Sequence, residues 1–432
     1  MRESLARRTP FFYGWAIVGA AGSSMFVRNA AASLTLAVFI YPMTQDLGWS
    51  RTLMAGAASA AGIVAMFVSP VTGWLLDRFG PRVLLGVSVL VLGFSSIGLA
   101  WATVPIAFYV LYGIGRIIFS SPVQIGAATV VSQWFVKRRG RATAAIAVLH
   151  SLGMGLIPLY AQFIMNAFDG DWRPAWIGIG IAVWVIALVP VWGLIVRRPE
   201  DVGMSPDART AEEAAAIRVA GRRKPADDVQ WTLREATRTP ALWILAIVGG
   251  LMFFVHAGVN IHQAAFLRDR GLSATAAAGA LTALAAGTAL GSVLWGVLSE
   301  RFPVRLVYAS VAAWVGLVSL LFLTVNNVPM AYTAAAVFGI GLGGLLVVPP
   351  VIFADYFGRR SLGSIRGVTE PFVSFAQALG AIGAGLVFDI TNSYSGVFPA
   401  FTAVASVAVA LVLIARAPAR PVAAVAAASP AS

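Results

Sequence analysis

The chain has no cysteine and only three histidines. Disulfides, thiolate metal sites and cysteine nucleophiles are therefore excluded, and a zinc site is not expected. Charge is scarce as well: 11% of the residues are Asp, Glu, Lys or Arg, where a soluble domain carries about a quarter. The charge that remains is lopsided, with 31 Lys and Arg against 18 Asp and Glu. No glycine-rich phosphate loop, nucleophile elbow or cluster of metal ligands appears, so neither catalysis nor a cofactor is expected.

Apolar residues dominate instead. They make up 59% of 432 residues and raise the mean hydropathy to +0.82, the signature of an integral membrane protein whose partner is the lipid bilayer. The start, "MRESLARRTPFFYGW", has the arginines of a secretory signal. Its apolar run then continues for almost thirty residues, which predicts a retained first helix. Cutting at charges, turns and polar clusters yields twelve segments of spanning length, near 12–40, 51–76, 82–102, 105–132, 141–166, 173–196, 241–266, 273–298, 305–325, 329–354, 364–388 and 394–416. Twelve crossings put both termini on one side. That side holds 24 of the Lys and Arg, the other holds four, and Arg28, Arg116 and Arg366 fall inside segments. The bias places both termini in the cytoplasm of a bacterial inner membrane. It also explains the net charge of +13 without nucleic acid.

The two halves repeat. "GWLLDRFGPR" from Gly73 returns as "GVLSERFPVR" from Gly296, and "QDLGWS" from Gln45 as "RDRGLS" from Arg268, both at an offset of 223. "QWFVKRR" from Gln133 is echoed by "DYFGRR" from Asp355, and "YGIGR" from Tyr112 by "FGIGL" from Phe338. The expected fold is all-α, with two six-helix bundles related by a parallel pseudo-two-fold. Residues 1–196 and 241–416 form the bundles, 197–240 a cytoplasmic linker with a short surface helix, and 417–432 a disordered tail.

This pattern resembles the major facilitator superfamily across almost the whole chain. "GWLLDRFGPR" is similar to that superfamily's loop signature, with Asp77 and Arg78 at its spacing. "FYGWAIV", "RRPEDVG", "WTLREATRTPALW" and "VFDITNSY" resemble the bacterial branch of the monocarboxylate transporter family, which includes relatives of the oxalate/formate antiporters. That resemblance implies transport of a small organic anion, commonly with a proton, by a protein acting as a monomer. Oxalate-type members use basic residues in helices eight and eleven. Here helix eight is uncharged and helix eleven pairs Arg366 with Glu370, which argues against oxalate. Drug efflux on the same fold is the nearest rival, and "AIAVLHSLGMGLIPLYAQ" lacks the central Gly-Pro of the exporters' helix five.

Lipid discriminates among the remaining candidates. A charge at the bilayer centre costs at least about 2.5–3.5 kcal/mol, so it faces a cavity or a partner. Arg116 lies roughly 16 Å into helix four at 1.5 Å per residue, and Arg28 is deep in helix one. Tyr109, Tyr112, Arg116 and Ser120 share one helical face, as do His256, Asn260 and Gln263, and Arg366, Glu370, Ser374 and Gln377. Glu370 is the lone deep acid and does not neutralise two deep arginines. The charge balance therefore predicts a substrate carboxylate held by Arg28 and Arg116 with Tyr112, His256, Asn260 and Gln377. Glu370 is the first candidate proton carrier and His256 the second. Arg366 is near enough to the cytoplasmic end to snorkel. Asp77, Arg78 and Arg82, with Glu300 and Arg301 in the repeat, are expected to hold gate loops alongside it. His150 falls on helix five without a polar stripe.

Overall fold

The structure, a computed structural model, describes residues 9–208 and 230–418. The alanine-rich part of the linker and nearly all of the expected disordered tail lie outside the described residues. Among the described residues, twelve helices are long and apolar enough to span a bilayer. They are α1 (Gly14–Leu47), α2 (Arg51–Phe79), α3 (Pro81–Leu99), α4 (Pro105–Trp134), α5 (Arg139–Ala167), α6 (Arg173–Leu194), α7 (Pro240–Asp269), α8 (Ala274–Arg301), α9 (Val304–Thr324), α10 (Val328–Phe357), α11 (Leu362–Thr391) and α12 (Val397–Ile414). The largest departure from the expected segments is α1, which continues through Pro42 to Leu47. Proline is tolerated in membrane helices where neighbouring groups take over the freed backbone bond.

The repeat is exact in register over four helices. α2, α3, α4 and α5 begin at residues 51, 81, 105 and 139, and α8, α9, α10 and α11 begin 223 later, at 274, 304, 328 and 362. Packing repeats too: α1 with α5, α2 with α4 and α3 with α6 in the first half, and α7 with α11, α8 with α10 and α9 with α12 in the second. One apolar core runs from Phe12 to Met204, another from Trp231 to Ala415. This register corrects the "FGIGL" echo. α4 and α10 are both 30 residues long, so Arg116 corresponds to Gly339, not to Leu342. Neither is basic.

The bundles meet where α2 lies along α11 and α5 along α8. Glycine permits both contacts: a Cβ on Gly73 would strike the Gly363 carbonyl, and one on Gly140 the Gly296 carbonyl. The pairs are themselves 223 apart. Both lie near the basic end, the face of the bundle to which the Arg-rich loops belong. On α11, seven of the nine residues from Leu362 to Glu370 are buried, and thereafter only Gly380 and Ala384. The bundles are thus closed together at the basic end and diverge toward the other.

Two helices break at the same depth. α1 passes through a 3-10 turn at Arg28–Ala31 into an extended Ala32, with φ −71° and ψ 153°. α4 breaks at Ser121, with φ −131° and ψ −72°. The cause in α4 is local: Pro122 has no N–H and disfavours helical geometry in the residue before it. No glycine or proline marks the break in α1. There the Asn29 side chain donates to the Met25 and Phe26 carbonyls, and Thr35 caps the Asn29 carbonyl at 2.7 Å.

Candidate functional site: a basic cluster at two helix breaks

A helix break in lipid leaves backbone groups that need partners. At the α4 break, Arg28 Nη1 donates to the Phe119 carbonyl at 3.0 Å and to Gln124 Oε1 at 2.9 Å. Arg28 Nε and Nη2 lie 3.4 and 3.3 Å from the two ring nitrogens of His150. Asn29 Nδ2 donates to the His150 carbonyl at 3.1 Å. At the α1 break, the Tyr112 hydroxyl donates to the Ala31 carbonyl at 3.2 Å. Arg28 is 2% exposed, and every group it bonds is neutral.

Arg116 shares this site. Its guanidinium carbon lies 4.6 Å from the centroid of the Phe119 ring, and that of Arg28 lies 4.4 Å from the same centroid. The ring face holds two cations by its quadrupole. Among the described residues Arg116 forms no hydrogen bond and no ion pair, and its Nε is buried without a partner. The second half of α4, Pro122–Trp134, also starts here. Its N-terminal amides and dipole add positive potential at the same depth.

The nearest acid is Glu370. It accepts from Gln124 Nε2 at 3.2 Å and pairs with Arg366 at 3.7 Å. Glu370, Gln124 and Arg366 line a cavity of about 50 Å³ between the bundles, along with Thr143, Tyr308 and Phe353. Neither Arg28 nor Arg116 has a carboxylate within ion-pair distance among the described residues. The arrangement can bind an anion, because two of its three arginines, the buried Arg28 and the partly buried Arg116, lack a counter-charge among the described residues.

Several expected residues sit elsewhere. Arg366 does not snorkel: it is 5% exposed, because α2 covers this turn of α11 and Glu370 draws the guanidinium inward. His256 is buried against Phe338 and Phe253, with Asn260 Nδ2 3.4 Å from its Nε2 and its Nδ1 unpartnered. Among the described residues no hydrogen bond or ion pair links His256 or Asn260 to the arginine pair. Gln377 is exposed on the outer part of α11, two turns beyond Glu370.

The gate candidates divide. Asp77 accepts from the backbone of Gly363 at 3.2 Å and Ser364 at 2.8 Å. Glu300 accepts from Arg141 through its backbone at 2.8 Å and its Nε at 2.6 Å. Arg78 and Arg301 do not join them among the described residues. One residue is a 100° turn of helix, which takes Arg78 out to the faces of Trp74 and Phe79 and leaves Arg301 exposed. Arg82 lies over Trp192 within its own bundle.

Six contributors lie outside the expected site residues. His150 and Gln124 complete the Arg28 environment. Arg139 and Asp355 form a cross-bundle ion pair, with Arg139 3% exposed, and Gln133 and Arg359 exchange bonds through their backbone carbonyls. The "SSP" before Gln124 was the one available signal, since it marks the α4 break. His150 gave none, because its partner comes from another helix.

Twelve spanning helices in two repeated bundles, with a polar site between them, fit a membrane transporter. The chain belongs to the Major Facilitator Superfamily, whose model matches residues 18–286 and 257–431. It is 23% identical over 368 residues to the uncharacterized MFS-type transporter YcxA of Bacillus subtilis, covering 82% of this chain and 84% of that one. It is 22% identical over 421 residues to the probable galactarate/D-glucarate transporter GudP of the same organism, covering 89% of each. The fold is similar to that of the proton:xylose symporter XylE, with a TM-score of 0.72, 14% identity and coverage of 93% of this chain and 95% of the other.

Proposed function

We propose that the protein carries a small organic anion across a bacterial inner membrane by alternating access, as a monomer and in symport with a proton. Monocarboxylates of the lactate and pyruvate class are the first candidates. The observation that carries the reading is Arg116: a guanidinium halfway through the bilayer, beside a second one, with no fixed counter-charge. A carboxylate from water completes its hydrogen bonds through the planar fork. The name of GudP, a probable carrier of two sugar acids, supports an organic acid as cargo. The positive-inside bias puts the basic end in the cytoplasm, so the closed basic end corresponds to an outward-facing carrier.

Exchange of one organic anion for another is the second reading. It is favoured by the two unmatched arginines, since a carrier that crosses empty would carry that excess charge through lipid. Purified protein in liposomes tests both. Labelled lactate, pyruvate and sugar acids are offered with and without a pH gradient, and with and without trapped anion. Uptake driven by the gradient alone supports symport. Uptake only against trapped anion supports exchange, and no flux of any organic anion removes both. A thermal-shift panel adds the residue: stabilisation of wild type but not of Arg116→Ala is expected, and equal responses would reject the role of Arg116.

A further inference from the structure

Gln124 stands between the two charges of opposite sign at the centre of the molecule. It follows the α4 break by three residues, and its amide touches both Arg28 of the first bundle and Glu370 of the second. Arg28 only donates, so the amide must turn Oε1 toward it. That leaves Nε2 for Glu370, which is the donor seen there at 3.2 Å. Glu370 is faced by Arg366 from its own helix and by Gln124 from α4, and Arg28 stands one amide farther away. No ion pair joins Arg28 to Glu370 directly.

We infer that Gln124 is a positioning residue that couples anion binding at Arg28 to the state of Glu370 across the bundle interface. An arriving carboxylate competes with Oε1 for Arg28 Nη1. Once released, the amide is no longer held with its donor toward Glu370, and the acid loses a hydrogen bond it has only while the site is empty. Neutralising Glu370 acts in reverse, by loosening the amide that occupies Arg28. The residue is uncharged, so this link adds no charge in lipid. It joins two bundles that separate in the transport cycle, so it also breaks when the site opens to the basic end.

The inference rests on the organic-anion reading, and a double-mutant cycle separates the two. Affinity for the best anion of the transport panel is measured at one pH for wild type, Glu370→Gln, Gln124→Leu and the double variant. Glu370→Gln is expected to tighten binding about tenfold in the wild-type background, and less than about twofold when Gln124 is Leu. Gln124→Asn, which keeps an amide but cannot span both partners, is expected to give the same loss and guards against a misfolded leucine variant. An equal effect of Glu370→Gln in all backgrounds would show a through-space or purely structural role and overturn the inference. Wild-type protein that binds no organic anion would overturn it together with the reading beneath it, before any variant is made.

Discussion

Asp77 and Glu300 stand 223 residues apart and do the same thing to opposite bundles. Asp77 accepts backbone hydrogen bonds from Gly363 and Ser364 at the start of α11. Glu300 accepts from the backbone of Arg141 at the start of α5, and Arg141 is itself 223 before Ser364. Each carboxylate satisfies orphan amides and the positive end of a helix dipole. The two-fold of the sequence is therefore also the two-fold of the closed basic end.

Removing one charge should open that end. Asp77→Asn keeps the shape but offers α11 one acceptor oxygen and no charge. The chain has no native cysteine, so a single reporter is clean. Ala147→Cys, 2% exposed and packed against Val347 of the other bundle, should react several-fold faster with a thiol reagent applied from the basic side when Asp77 is Asn, given that such contacts contribute about 0.3–1 kcal/mol or more. An unchanged rate would show that Asp77 does not hold the closed state.

The glycine pairs make a steric counterpart. Gly140→Val brings a branched side chain against the Ser299 hydroxyl and the Gly296 carbonyl, and the carbonyl, being backbone, has no rotamer by which to move aside. Closure at the basic end is then blocked while each bundle keeps its own core. Expression and helicity should match wild type, and transport should fall by more than about tenfold, since a carrier held in one state completes no cycle. Normal transport in this variant would refute the closed geometry of α5 on α8.

The span count and the parallel repeat were legible because they follow from period and length, and the cost of charge in lipid singled out Arg116 as a candidate. Interactions between helices were not. Arg28 appeared as a deep charge, but its neutral partners His150, Gln124 and the Phe119 carbonyl come from two other helices and one broken backbone. The α1 break left no mark because Asn29, rather than glycine or proline, supports it. Stripe logic placed His256 and Gln377 at the site from spacing alone. Spacing fixes a shared face but not what that face meets, and among the described residues no contact joins either of these two to the arginine pair. Arg139 looked like one more topology arginine in "VKRRGR", yet it is the buried half of the pair with Asp355.

The two deep arginines should respond in opposite ways to removal. Arg28 satisfies the Phe119 carbonyl, Gln124 Oε1 and His150, so Arg28→Leu strands buried acceptors at about 1–3 kcal/mol each. Its melting temperature without substrate should fall. Arg116 has no such partners among the described residues, and Arg116→Leu removes an uncompensated, partly buried charge. That variant should melt at or above the wild-type temperature while losing anion affinity by at least about tenfold, the pattern of a site residue that costs stability. Loss of stability in both would assign Arg116 a structural bond that the empty carrier needs.

Glu370 provides the test of proton coupling. Its neighbours Gln124 and Arg366 both offer donors, so the ionised acid is the form they complement. Protonation must then coincide with a change in those neighbours, and an anion that draws Gln124 away from its place is such a change. Glu370→Gln keeps the size, donates where the protonated acid would, and has no proton to exchange. Under a pH gradient, wild-type uptake should rise several-fold over uptake without one, whereas Glu370→Gln should show a ratio near one and still exchange external for trapped anion, because exchange requires no net proton movement. A gradient response that survives in Glu370→Gln would move the proton site elsewhere, with His256 the next residue to substitute. Loss of exchange as well would make Glu370 part of anion binding itself.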